Sequence, residues 1–190
     1  MARAVLSGRR GRTSLLVCVL AAACAQAADA APGQCAPNPP PGAGAVTRPA
    51  YADLLRTVTT SAFYAELVRL HGAPRGCTAH ASESDLTLRY SFAHRARLTV
   101  RVGPAIEFSE YRVELRAMSD AQALEFLKAE EREVYGASSC GIAWSAPPEV
   151  LPVADDGSRG VVYRGDTCNC QARVLRTKTA GVILILRSAC

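Results

Sequence analysis

The chain lacks most of what would name a function. Its 190 residues contain no G-x-S-x-G, no H-E-x-x-H, no P-loop and no dinucleotide fingerprint. Histidine is scarce: His71, His80 and His94 are the three, and they fall at a predicted helix end, in a loop and in a turn. That scatter points to no catalytic residue and no metal, and no second pair of ligands sits at finger-like spacing beside the cysteines. Lysine is nearly absent, with only Lys128 and Lys178, so the basic residues are almost all arginine. Codon composition explains that usage before function does. The apolar run Leu15–Ala25 is too short to span a bilayer. Nothing in the sequence implies a cofactor.

What is present speaks first of export. Met1–Arg12 carries Arg3, Arg9, Arg10 and Arg12 and no acid, Leu15–Ala25 is apolar, and Ala25-Gln26-Ala27 is a small-x-small site. Together they predict a secretory signal peptide over residues 1–27 and a periplasmic or secreted chain beginning at Ala28. Arg9-Arg10 hints at the twin-arginine route, but Gly11 and Arg12 do not supply its apolar position, which favours the general route. Ala22-Ala23-Cys24 also has the form of a lipoprotein box, so a tether through Cys24 is the competing expectation. The formal charge of +5 falls to about +1 once the four leader arginines are removed. That leaves no field suited to nucleic acid.

Six cysteines remain after the leader: Cys35, Cys77, Cys140, Cys168, Cys170 and Cys190. An even set in an oxidising compartment predicts disulfides. Cys168 and Cys170, two apart on a predicted strand, are spaced for two different partners. The turn at Lys178–Gly181 is expected to bring Cys190 to one of them and Cys140 to the other, leaving Cys35 with Cys77. Cys35 lies in a Pro/Gly-rich linker, residues 28–48, that is expected to run extended. There it either ties the tail down or pairs with another chain.

Residues 49–190 read as one α+β domain. Tyr51–His71 is helical, broken near Thr59-Thr60-Ser61 and closed by Gly72, with Leu54, Leu55, Val58, Phe63, Leu67 and Leu70 on the inner face. Asp85–Phe92 and Arg97–Val102 alternate as strands, and a common apolar face is expected to set Leu88 opposite Val102 and Arg89 opposite Arg101. Ile106–Arg116 is a third strand whose parity change predicts a bulge near Ser109-Glu110. Ser119 with Gln122 opens a second helix with Leu124, Leu127 and Val134 inward, Glu130, Glu131 and Glu133 solvated, and Gly136 at its end. Gly141–Ser145 suggests a strand carrying Trp144, and Pro147–Gly160 a long loop. The chain closes with strands Val161–Arg164, Cys168–Thr177 and Val182–Leu186. The last is apolar throughout and is expected to be covered on both faces. Helix, Gly72, Cys77 and strands are echoed by helix, Gly136, Cys140 and strands. This suggests two helix-then-antiparallel-strands units forming one sheet or two, with helices on one face. In layout alone it resembles the helix-plus-sheet modules of small exported inhibitor proteins; no residue carries over.

The outward face of the first sheet offers Arg89, Arg101, Arg112 and Arg116 beside Thr87 and Thr99, with Glu107, Glu110 and Glu114 to balance them. Arginine on rigid strands suits carboxylate or phosphate recognition. The expectation is therefore an exported, disulfide-stabilised binding module, inhibitor-like, immunity-like or envelope-associated, whose partner is a protein or an anionic ligand. The alternatives are a small secreted enzyme using His80 with Glu83 or Asp85, and a structural lipoprotein held through Cys24.

Overall fold

The computed structural model describes residues 33–43, 48–82, 85–103, 108–136, 140–167, 169–179 and 181–189. The leader, Cys24, Cys168 and Cys190 lie outside them, as do Glu83 and Glu107. Among the described residues no helix is long and apolar enough to cross a membrane.

Two short helices open the domain. In α1 (Arg48–Thr60) Tyr51 and Val58 are buried and Leu54 and Leu55 partly so, one helical face in register. Its end is set by hydroxyls. Thr59 Oγ1 and Thr60 Oγ1 donate back to the Leu55 and Arg56 carbonyls, which competes with continuing the helix. Ser61 then caps α2 (Ala62–His71) by accepting the Tyr64 N–H, and Gly72, at φ 75°, closes it. Phe63 and Leu67 are buried, but Leu70 is exposed, because the inner stripe has rotated past it by the last turn. The third helix, α3 (Asp120–Tyr135), begins with the capping box of Ser119 and Gln122.

The strands form a single eight-stranded antiparallel sheet: β1 (Gly76–Ala81), β2 (Leu86–Ser91), β3 (Arg97–Val102), β4 (Phe108–Leu115), β5 (Glu149–Leu151), β6 (Arg159–Arg164), β7 (Gln171–Arg176) and β8 (Val182–Ala189). Their order is β1-β2-β3-β4-β8-β7-β6-β5. One row, Ala79–Leu88–Val100–Tyr111–Leu186–Ala172–Tyr163, crosses seven strands on the core face. Helix contacts fall on this face. Tyr64 packs edge-on against Tyr90 at 5.3 Å between ring centres, and Tyr135 Oη bonds Ser109 Oγ at 2.9 Å. Phe63 meets Phe126 at 4.8 Å and so joins α2 to α3.

Several expectations are corrected here. The β2–β3 hairpin pairs Leu88 with Val100 and Arg89 with Thr99, two residues from the expected register, because Ala93–Arg95 closes a tight turn with Phe92 bonded to Ala96. A shift of two keeps every side chain on its face. β4 carries no bulge; Ser109 to Glu114 pair continuously with Val102 to Arg97, and Phe108 lies on the face opposite Tyr111. β1 was not foreseen, since Cys77, Ala79 and Ala81 are too small to sound an apolar alternation. β5 lies inside the expected long loop, and Ile142 makes only a single bridge to Gly165. β7 starts at Gln171, so the C-x-C segment precedes the strand, with Asn169 in a left-handed turn at φ 46°.

Two disulfides, Cys35–Cys77 and Cys140–Cys170, join the described cysteines. The first ties the Pro-rich tail to β1, the strand at one end of the sheet order. Gly33, at φ 87°, approaches the Pro74 carbonyl so closely that a Cβ would stand 2.0 Å from its oxygen, and Cys35 is buried. An uncovered edge strand would invite pairing with another chain. Cys35→Ser with Cys77→Ser should therefore cost about 4 kcal/mol, by the loop-closure estimate for a separation of 42 residues, and should promote association through β1. Denaturant titration and light scattering test this; an unchanged midpoint and a monodisperse variant would count against it. With Cys170 taken by Cys140, the expected bridge to Cys190 falls to Cys168. Non-reducing peptide mapping should recover Cys168 linked to Cys190, and a free thiol at either would refute the assignment.

Candidate functional site

Side chains alternate along a strand, so the register that builds the core also builds the opposite face. Among the described residues no helix lies on that face. One row across all eight strands reads Thr78–Arg89–Thr99–Arg112–Ile185–Arg173–Val162–Glu149. A neighbouring row reads His80–Thr87–Arg101–Glu110–Arg187–Gln171–Arg164. A third reads Gly76–Ser91–Arg97–Glu114–Ile183–Leu175–Gly160–Leu151.

Of the arginines expected to form a binding face, the sheet brings Arg89, Arg101 and Arg112 together, while Arg116 follows the end of β4 and is exposed. Two of them are already engaged. Arg101 Nη2 donates to Asp85 Oδ2 at 2.7 Å, which holds that carboxyl below its ordinary range. Arg112 Nε donates to Glu114 Oε1 at 3.0 Å, and Arg97 reaches the same carboxylate at 3.3 Å. Exposed pairs of this kind contribute little to stability, but they neutralise the surface. Among the described residues Arg89 forms no ion pair, and neither do Arg173 and Arg187, which the sequence reading missed. The signal for Arg173 was its outward place on the expected strand Cys168–Thr177, whereas Arg187 falls one residue past the expected end of Val182–Leu186 and joins the face because β8 runs on to Ala189.

The two halves of the face differ. Across β1 to β4 it is polar. From β8 to β5 it carries Ile183, Ile185, Leu175, Val162 and Leu151. Gly160 lets Leu175 lie across its strand, since a Cβ there would meet Leu175 Cδ2 at 2.5 Å. Ile185 is only 8% exposed on a face with no helix above it. Its register neighbours are Arg112 and Arg173, with Arg187 two residues along, and arginine stems shield apolar surface in this way. The expectation that Val182–Leu186 is covered on both faces agrees with its burial: Val182, Leu184 and Leu186 are buried on the core face, and on the other Ile185 is buried and Ile183 partly so. Phe108 extends the patch, with the Arg187 guanidinium 4.9 Å and that of Arg101 5.8 Å from its ring centre.

The other places where chemistry was considered are less organised. His80 stands opposite Thr87 on exposed β1, and Asp85 is held by Arg101 and Thr87. His71 and His94 approach to 6.0 Å between ring centres, with burial and the second imidazole holding His71 below its usual range. A shallow hollow beside Val162 is lined by Ala146, Pro147 and the Glu149–Arg164 ion pair. Among the described residues no three His, Cys, Asp or Glu side chains converge as metal ligands. Comparison with known protein families, with curated proteins and with solved structures finds no match.

Two acids expected to be solvated are buried instead. Glu131 Oε1 and Oε2 accept the Ile142 N–H and the Trp144 indole N–H, which fixes the segment after the second half's cysteine onto α3. Glu130 is fully buried, and its Oε2 accepts the Phe63 N–H at 2.6 Å at the start of α2. Desolvation pushes its pKa up to about 7, opposed by hydrogen bonds from Phe63, Ser61 and Ala62 and reinforced by Glu133. The folded protein therefore binds a proton more tightly than the unfolded chain. The stability this confers is complete below the ordinary value of 4.5 and is lost as pH rises through 7. Wild-type stability should fall by up to about 3 kcal/mol between pH 5 and pH 8, and Glu130→Gln should flatten that slope. Urea titrations across this range test it; parallel slopes in the two proteins would exclude Glu130 as the source.

Proposed function

We propose that the chain is an exported, non-enzymatic binding module that recognises an acidic partner protein through the open face of its sheet. The observation that carries this reading is the bare face itself: rigid strands presenting arginines around an apolar centre. Protein interfaces are enriched in arginine and aromatic residues around a desolvated core, with polar groups at the rim. The Arg187–Phe108 stack, the Ile185 centre and the Thr and Arg margin fit that anatomy. Disulfides lower the cost of holding such a surface in one shape, and two of them accord with an oxidising compartment. The leader over residues 1–27 and the linker over 28–48 belong to the same reading, with the inhibitor-like, immunity-like and envelope-associated roles as its forms. So does a two-unit plan, in which each helical segment is followed by four strands and the units meet where β4 pairs β8. The mirrored strand order supports it.

The test is a capture experiment on the exported fraction with three proteins. Arg89→Glu with Arg187→Glu reverses charge on the open face at residues free of ion pairs. Arg56→Glu with Arg69→Glu does so on the helices. A partner held by wild type and by the helix variant, and lost at least tenfold by the sheet variant, is the expected outcome. Retention by the sheet variant and loss by the helix variant would move the site to the other side of the molecule.

A further inference from the structure

The open face is not uniform in charge once its internal pairs are counted, and this locates where a partner's acid would dock. On β1 to β4, Arg101 is spent on Asp85, and Arg97 and Arg112 share Glu114. On the other half Arg164 is held by Glu149. Among the described residues Arg89 remains in the polar half, and Arg173 and Arg187 remain beside the apolar residues. Arg173 is steadied by a neutral group alone, with Nε and Nη2 donating to Gln171 Oε1 at 2.9 and 2.7 Å. Arg187 is steadied by the Phe108 ring, and stands across from Gln171 on one side and Glu110 on the other.

These two arginines sit diagonally on adjacent strands, at one end of the apolar residues of the face. Arg173 is directly opposite Ile185, and Leu175 directly opposite Ile183. Both guanidiniums are pre-positioned by contacts that leave their charge uncompensated, which lowers the ordering cost of binding. Resting on the proposed role of this face, we infer that Arg173 and Arg187 are the anchor for two carboxylates of a partner protein segment, set beside an apolar side chain that packs on Leu175, Ile183 and Ile185. A free phosphate would satisfy the cations but leave that apolar surface wet, so the fit is to an acidic protein segment carrying a hydrophobic residue.

The experiment uses the full exported chain and two labelled probes at low ionic strength: poly-L-glutamate, and a capped peptide in which Leu replaces the central residues of an all-Glu sequence. Anisotropy should show the Leu-containing peptide bound more tightly. Arg173→Gln with Arg187→Gln should weaken it by tenfold or more, while Arg89→Gln with Arg116→Gln should weaken it by less than about threefold. Inorganic phosphate should displace it no better than chloride of equal ionic strength. Trp144 fluorescence and thermal midpoint report whether a variant folds; if the Gln pair does not, Arg173→Lys with Arg187→Lys keeps the charge, removes the planar fork, and should still weaken binding. Equal losses from both arginine pairs would overturn the anchor while sparing the open-face reading. No loss from either would overturn both. Arginine-dependent binding to phosphatidylglycerol vesicles, with neither peptide bound, would replace the protein segment by a lipid surface.

Discussion

The pairing of β4 with β8 is the constraint on which the rest depends. Eight residues of each strand are matched, from Phe108 with Ala189 to Leu115 with Val182. The two strands come from opposite halves of the domain, so this ladder alone makes one sheet of what would otherwise be two four-stranded edges. It places Tyr111, Val113 and Leu115 beside Leu186, Leu184 and Val182 under the helices. Because the side-chain period is two, it also fixes Glu110, Arg112, Ile185 and Arg187 as neighbours on the other side. A slip of one residue would bury the arginines and expose the core, so the energy of the core holds the open face in register.

The helices reach both halves through two consecutive acids of α3. Glu130 turns toward the start of α2 and accepts an N–H that the helix leaves unpaired, while Glu131 turns toward Ile142 and Trp144 in the other half. Adjacent helical positions point about 100° apart, so one turn of helix serves two distant segments. Burying an acid is costly unless it is paired or protonated. For Glu130 burial raises the pKa to about 7, which makes this junction a pH-sensitive part of the fold near neutrality.

The sequence made the helix boundaries legible because hydroxyl caps and glycine stops act locally: Ser61, Gly72, Ser119, Gln122 and Gly136 all serve as their residue types imply. Strands with large alternating residues, such as Leu86, Leu88 and Tyr90, were equally plain. What escaped depends on distant partners. β1 alternates only Cys77, Ala79 and Ala81, and its existence rests on pairing with β2. Glu130 and Glu131 look solvated on a helical wheel because the segments that bury them come from residues 63 and 142–144. Within the site, Arg89, Arg101 and Arg112 were readable from three consecutive strands. Arg173 and Arg187 join them only through the β4–β8 ladder, a contact between residues 67 to 81 apart that no local pattern announces.

An apolar centre on an uncovered face needs a reason to persist. Leu175, Ile183 and Ile185 gain nothing from water, and a domain of this size has polar residues enough to replace them on a solvated face. Arginine stems reduce the exposure of Ile185 without removing it from reach, because a guanidinium head swings aside more readily than a packed helix unfolds. The β1–β4 half complements this centre: Arg97, Arg101 and Arg112 are internally paired, and Arg89 stands among threonines away from the apolar residues. Charge and apolar area thus coincide only where β7 and β8 meet, so recognition has one centre rather than a diffuse basic field. Contacts at such a centre would act through short-range fit more than through long-range attraction.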